Sequence, residues 1–204
     1  MACFPLARPA RIAVFASGRG SNLEALLAAF PPGDALGEVA LVISNRGTAP
    51  ALAKARAAGV DAAHVPYPDR SSFEAEAEQR LSDAAIDLVC LAGFMRILSP
   101  AFVGRHRGRL LNVHPSLLPA FRGLHAQRQA LEAGVAESGC TVHFVDEGVD
   151  TGRIVVQRRV PVLEGDSEER LAERIRSEEH SAFVEAVKLV LSGRVTADAM
   201  EVAG

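Results

Sequence analysis

Short continuous apolar runs alternate with helix-patterned stretches along most of this 204-residue chain. That alternation restricts the fold more than any other feature. Residues 11–16 (RIAVFA), 39–44 (VALVIS), 87–92 (DLVCLA) and 110–113 (LLNV) are the clearest runs. Runs of this length without internal alternation read as strands buried on both faces, the pattern of a parallel sheet. Helical patterns fill the gaps: LEALLAAF at 23–30, an Ala-rich stretch at 50–58 closed by Gly59, and a stretch to about residue 84 capped by Ser71 or Ser72. A short strand at 62–65 separates the last two. A helix at 124–134, ended by Gly134, follows the fourth run. Then 140–162 (CTVHFVDEGVDTGRIVVQRRVPV) reads as two antiparallel strands about a loop at 146–152. A long helix at 168–191 closes the pattern, with acids first and Lys188 late, as its dipole favours. The expected fold is α/β: a mostly parallel, doubly wound, Rossmann-like sheet with a late antiparallel strand pair and a long C-terminal helix. No repeat, linker or low-complexity tract interrupts it, so residues 1–204 are expected to form one domain.

Charge and cysteine usage narrow the function classes. The net charge is −3 and the only lysines are Lys54 and Lys188, which argues against a polybasic nucleic-acid or membrane surface. No apolar run approaches a membrane helix in length. The first apolar run is broken too soon by Gly18 to read as a signal peptide, so the expected location is cytoplasmic. Residues before Pro9 read as a loose terminus. Cys3, Cys90 and Cys140 form no C-x-x-C pair and read as buried reduced thiols.

The chemistry concentrates at strand ends. Side chains alternate along a strand, so Asn112 and His114 share a face, and Pro115 stops the strand immediately after them. An amide and an imidazole then stand at the carboxyl end of a strand, where open α/β sheets bind ligands. The amide is an oxyanion donor and the imidazole moves protons near neutral pH. After the first strand, the turn SGRGSN at 17–22 leads into a helix. Gly18 and Gly20 permit a tight turn, Ser21 or Asn22 can cap, and free amides at a helix start suit a phosphate. The turn is not a dinucleotide fingerprint. Leu23 stands where a third glycine belongs, and Asn45 and Arg46, not an acid, follow the second strand. The run Phe94, Met95, Ile97, Leu98 either packs beneath the sheet or walls an apolar pocket, and Arg96 within it suits an anionic group. Asp150 is within reach of His114 from the 146–152 loop and should raise its pKa.

No hydroxyl or thiol is tied to this set as a nucleophile. That points to direct transfer of an acyl-like group between two bound substrates, one carrying a phosphate and one flat and apolar with an anionic tail. His114, His125, His143 and Asp150 are numerous enough for a metal but match no standard ligand spacing. His64, His106 and His180 read as plain surface or helix residues. The competing class is a ligand-binding α/β domain without catalysis.

Five stretches resemble the folate-dependent formyltransferases, nearest to the glycinamide ribonucleotide branch: SGRGSNL at 17–23, LAGFMRILSPAFV at 91–103, LLNVHPSLLPAF at 110–121, TVHFVDEGVDTG at 141–152 and GDSEERLAERI at 165–175. The resemblance implies a formyltransferase fold with 10-formyltetrahydrofolate as co-substrate and no metal. Asn112, His114 and Asp150 match the catalytic trio: Asn and His stabilise the formyl oxyanion, His relays a proton, and Asp keeps His charged. Gly20, Ser21, Asn22 and Leu23 match the phosphate segment, and Glu179 a helix residue that holds the ribose. Leu91, Met95, Arg96, Ile97, Leu98, Leu110 and Val145 match the folate wall. The 146–150 backbone matches the pteridine loop, and Arg70 and Arg96 suit the glutamate tail. The N-terminal half would thus hold the ribonucleotide and the C-terminal half the folate and catalysis. Arg122 replaces a usual proline and Arg176 a commoner glutamine. The methionyl-tRNA and hydrolase relatives share the trio, but the first normally adds a C-terminal RNA-binding domain and the second an N-terminal regulatory one. The expected partners are the two small-molecule substrates, without nucleic acid or membrane, and the chain a monomer or homodimer.

Overall fold

The computed structural model describes residues 4–197. In chain order the elements are β1 (Ala10–Phe15), α1 (Ser21–Ala29), β2 (Gly37–Ser44), α2 (Pro50–Ala57), β3 (Asp61–His64), α3 (Arg70–Asp83), β4 (Leu88–Leu91), α4 (Pro100–Arg105), β5 (Leu110–His114), α5 (Ala126–Glu132), β6 (Glu137–Phe144), β7 (Ile154–Pro161) and α6 (Glu168–Leu191). The strands form one seven-stranded sheet in the order β3-β2-β1-β4-β5-β6-β7. β1 to β5 are mutually parallel, and β6 runs antiparallel to both of its neighbours.

Period-two alternation sorts the core into two layers. Ile12 and Val14 of β1 pack with Leu23, Leu26 and the apolar stripe of α6. Ala13 and Phe15 face the other way, onto Phe73 of α3 and Phe102 of α4. α6 buries Leu171, Ile175, Ala182, Phe183, Ala186, Val187 and Val190, spaced at helical intervals along one face. Fully burying each large apolar side chain contributes about 1.5–3 kcal/mol.

The chain fills the sheet outward from β1 in both directions. The connections leaving β1 and β4 therefore diverge, and a crevice opens between their carboxyl ends. The pairing Phe15↔Leu91 and Leu91↔Asn112 brings three strand ends to that crevice.

The architecture follows the sequence pattern, with local corrections. α4 was not expected. Ser99 caps it by accepting from the Phe102 amide, with Pro100 in the first turn. α3 is capped by Asp69, to which both Ser71 and Ser72 donate, so the serines are partners of the cap. The segment before Pro9 is not loose in its described part. Phe4 and Leu6 pack on the core, and Arg8 donates two hydrogen bonds, of 2.7 and 2.9 Å, to Asp87. His106 is a core residue, its ring 4.6 Å from that of Phe102 and its Nε2 3.0 Å from Glu78. Cys90 and Cys140 are buried free thiols, and burial pushes the Cys140 pKa up to about 12. Cys3 lies outside the described residues. Among them, no helix is long and apolar enough to cross a membrane.

Candidate active site

β5 delivers Asn112 and His114 to the crevice, and its antiparallel partner supplies a third group. Asn112 pairs directly with His143 across the β5–β6 ladder. His143 Nδ1 donates to the Phe144 carbonyl at 2.7 Å, which leaves Nε2 to accept from Asn112 Nδ2 at 3.2 Å. That bond orients the amide and leaves its second N–H for a guest. Asp150 closes the set, with Oδ2 3.3 Å from His114 Nδ1 and Oδ1 3.6 Å from His143 Nε2. The Gly123 amide donates to the same Oδ2 at 2.9 Å.

The loop carrying Asp150 is tightly wound. Asp146 accepts from Gly148 N and Thr151 Oγ1, and Asp150 itself has φ 52°, an uncommon geometry for a residue with a side chain. Gly152 is required where the loop rejoins the sheet, because an added Cβ would lie 1.8 Å from the Phe144 carbonyl oxygen.

The second nitrogen of His114, Nε2, lies 2.8 Å from the Phe121 carbonyl. Both ring nitrogens thus face acceptors, which favours imidazolium. Burial opposes this and is the larger influence, so the His114 pKa lies below its ordinary value; Phe121 and Asp150 push it up and His143 lowers it further. The expectation that Asp150 raises this pKa holds for its own contribution but not for the net direction. For Asp150, burial pushes up, but the His143 contact, the Gly123 amide and His114 outweigh it and leave the carboxyl below its usual range.

On the other side of the crevice, Gly20 takes the left-handed conformation (φ 75°) and α1 starts without a side-chain cap. An added Cβ there would lie 2.9 Å from Ala51. Neither Ser21 nor Asn22 caps the helix, contrary to expectation. The first helical bond runs from Glu24 N to Gly20 O, so the 21–23 amides are left for an anion. Asn22 instead donates to Glu179 Oε2 at 2.8 Å. Glu179 occupies the apolar stripe of α6, four residues from both Ile175 and Phe183. Burial pushes its pKa up, against Asn22, Arg176 and His180.

The 93–98 segment leaves β4 between these two groups. The reading that it packs beneath the sheet holds for Phe94 and Leu98. Phe94 stacks on Phe73 at 5.3 Å and Leu98 is buried, while Met95 and Ile97 are 64% and 65% exposed. Arg96 lies over the Tyr67 ring, 4.6 Å from its centre.

Residues 10–187 match the formyl transferase family. The chain belongs to that family. It is 44% identical over 188 residues to phosphoribosylglycinamide formyltransferase of Escherichia coli K12, covering 90% of this chain and 88% of that one. It is 52% identical over 188 residues to the trifunctional purine biosynthetic protein adenosine-3 of Drosophila pseudoobscura pseudoobscura, covering 90% of this chain but spanning only 14% of that longer protein. Its fold matches the crystal structure of glycinamide ribonucleotide transformylase 1 from Symbiobacterium toebii with a TM-score of 0.87 at 50% identity, covering 93% and 91% of the two chains.

Against this formyl transferase background the expected site residues fall into groups. Asn112, His114 and Asp150 are brought together through His143. Gly20, Ser21, Asn22, Leu23 and Glu179 gather at the start of α1. Leu91, Leu98 and Leu110 are buried in one core cluster, Leu110 without exposed surface, while Met95, Arg96 and Ile97 are exposed. Arg70 opens α3 and is exposed. A cavity of about 500 Å³ lies between α4 and the 145–148 loop, lined among others by Val103, Gly104, Val145, Asp146 and Gly148. Val103 and Gly104 come from α4, which was not expected. His143 was also missed as a site residue, although its place in the strand beside Asn112 was readable. His125 is exposed at the start of α5. Among the described residues no three His, Cys, Asp or Glu side chains are grouped to hold one metal ion.

Proposed function

We propose that this chain transfers the formyl group of 10-formyltetrahydrofolate to the amine of N1-(5-phosphoribosyl)glycinamide, giving formylglycinamide ribonucleotide and tetrahydrofolate, in the cytoplasmic de novo synthesis of purines. The observation that carries the reading is the linked set Asn112–His143–Asp150–His114 at the carboxyl end of β5. It offers an oxyanion donor and a proton carrier, and the nitrogens of His114 face a carbonyl and a carboxylate rather than a hydroxyl or thiol. Such a site suits direct transfer between two substrates held side by side.

The ribonucleotide phosphate binds the 21–23 amides, with Glu179 accepting from the ribose. The pteridine enters the cavity beside Val145 and the 146–150 backbone. The chain beyond it runs over Met95 and Ile97, and its glutamate tail meets Arg96 and Arg70. The substrate amine attacks the formyl carbon, and the carbonyl becomes an oxyanion that accepts the remaining Asn112 N–H. His114 takes the proton the amine releases, and on Nδ1 that proton gains Asp150 as acceptor. Collapse of the tetrahedral species breaks the bond to folate N10, and the proton passes to that nitrogen. No metal is used.

The test is the absorbance change on deformylation of 10-formyltetrahydrofolate, with and without the ribonucleotide. Loss that depends on the ribonucleotide and is absent in His114→Ala is expected. Loss without the ribonucleotide indicates a hydrolase, and no loss in either case overturns the reading.

A further inference from the structure

The two halves of the crevice are joined by one buried side chain that neither substrate touches in the reading above. Ser17 follows β1 at the start of the phosphate turn and is 2% exposed. Its Oγ donates to Asn45 Oδ1 at 2.7 Å and accepts the Met95 amide at 3.0 Å, while its own amide donates to the Gly93 carbonyl at 3.2 Å. Ser17 thus spans the point where the strand order reverses. It ties the β1 turn to the segment leaving β4, and Asn45 at the end of β2 holds the hydroxyl in place.

The tied segment needs such an anchor. Residues 93–98 belong to no helix or strand, and two of their large side chains lie in solvent. The far end is fixed separately: Glu74 of α3 accepts both the amide and the hydroxyl of Ser99, each at 2.6 Å. With Phe94 held under the sheet and Ser99 clamped, the Met95 backbone is set by Ser17.

We infer that Ser17 is a positioning residue that couples the two substrate sites, so that filling the phosphate turn tightens the Met95–Ile97 wall and the reverse. The inference rests on the reaction proposed above. A ligand in the turn restrains Ser17, and the second ligand then meets a segment already ordered; by linkage the effect is equal in both directions.

The test uses the full chain and a pair that cannot react, tetrahydrofolate and glycinamide ribonucleotide. Calorimetry gives the nucleotide affinity with and without saturating tetrahydrofolate, and steady-state transfer gives the two KM values. In the unmodified chain tetrahydrofolate should tighten nucleotide binding about threefold or more. In Ser17→Ala that factor should fall to about one. The folate KM should rise about tenfold, as expected for an amide left without its acceptor, with kcat and the nucleotide KM moving less than about threefold. Coupling retained in Ser17→Ala, or both KM values raised equally, overturns the inference. So does an unmodified chain that turns over normally without coupling. A chain that neither binds tetrahydrofolate nor transfers formyl overturns the proposed reaction instead, and this inference with it. If Ser17→Ala does not fold, Asn45→Ala reads the same link by removing the acceptor of the hydroxyl. It should at least halve the coupling, and unchanged coupling overturns the inference.

Discussion

The two sides of the crevice are built by opposite means. The side proposed to hold the phosphate is backbone: amides at the start of α1, which follow a left-handed Gly20 and are left uncapped. The side proposed to carry the reaction is side chain: an amide, two imidazoles and a carboxylate, drawn from β5, β6 and the loop between β6 and β7, each within 3.6 Å of another member. A backbone site tolerates side-chain change because its donors survive. A contiguous set of side chains does not, since the chemistry is carried by the side chains themselves.

The contrast is broken if the catalytic side proves tolerant. Asn112→Ala should lower kcat by about 10²–10³-fold and His114→Ala by about 10²–10⁴-fold, with the nucleotide KM little changed. Turnover near normal in either removes that residue from the reaction. Asp150→Asn should cost less, roughly tenfold or more, and should depress the His114 pKa further, because Asp150 is one of the two groups pushing it up. A proton NMR titration of His114 that does not move would take Asp150 out of that role.

The backbone side sharpens the same comparison at smaller magnitudes. Asn22→Ala leaves the Glu179 carboxylate without its donor and should raise the nucleotide KM about tenfold, leaving kcat within a few-fold. Ser21→Ala removes only a side chain that caps nothing, and should change that KM by less than about threefold. A large loss there would mean that the hydroxyl, not the amides, holds the phosphate. The smallest effect is on stability. His114 and His106 are both depressed by burial, so the unfolded chain takes up protons first as pH falls below 6.5. Thermal stability should therefore decline as pH drops from about 6.5 toward the depressed folded values, and a flat profile there would contradict the burial of these rings.

Where one principle dominated, the sequence was readable. The α6 bounds and the 146–152 loop follow from apolar period and turn residues, and the Asn112–His114 pairing on one face follows from strand alternation. α4 was missed because it is six residues long and carries Gly104, although Ser99-Pro100 is a helix start. His106 was misread because its burial depends on Glu78 and Phe102, which are distant in sequence or hidden in the unrecognised helix. Glu179 could have been suspected from physics alone, as a carboxylate on an otherwise apolar stripe. The net His114 shift was not legible, because burial is a property of the assembled crevice and not of the Asp–His pair.

The central claim is direct transfer, and a single-turnover reaction with isotopically labelled formyl carbon tests it most directly, followed by carbon NMR and intact protein mass. The label should move from folate to the ribonucleotide amine, with no free formate and no labelled protein. Label released as formate, or retained on the chain, would contradict it.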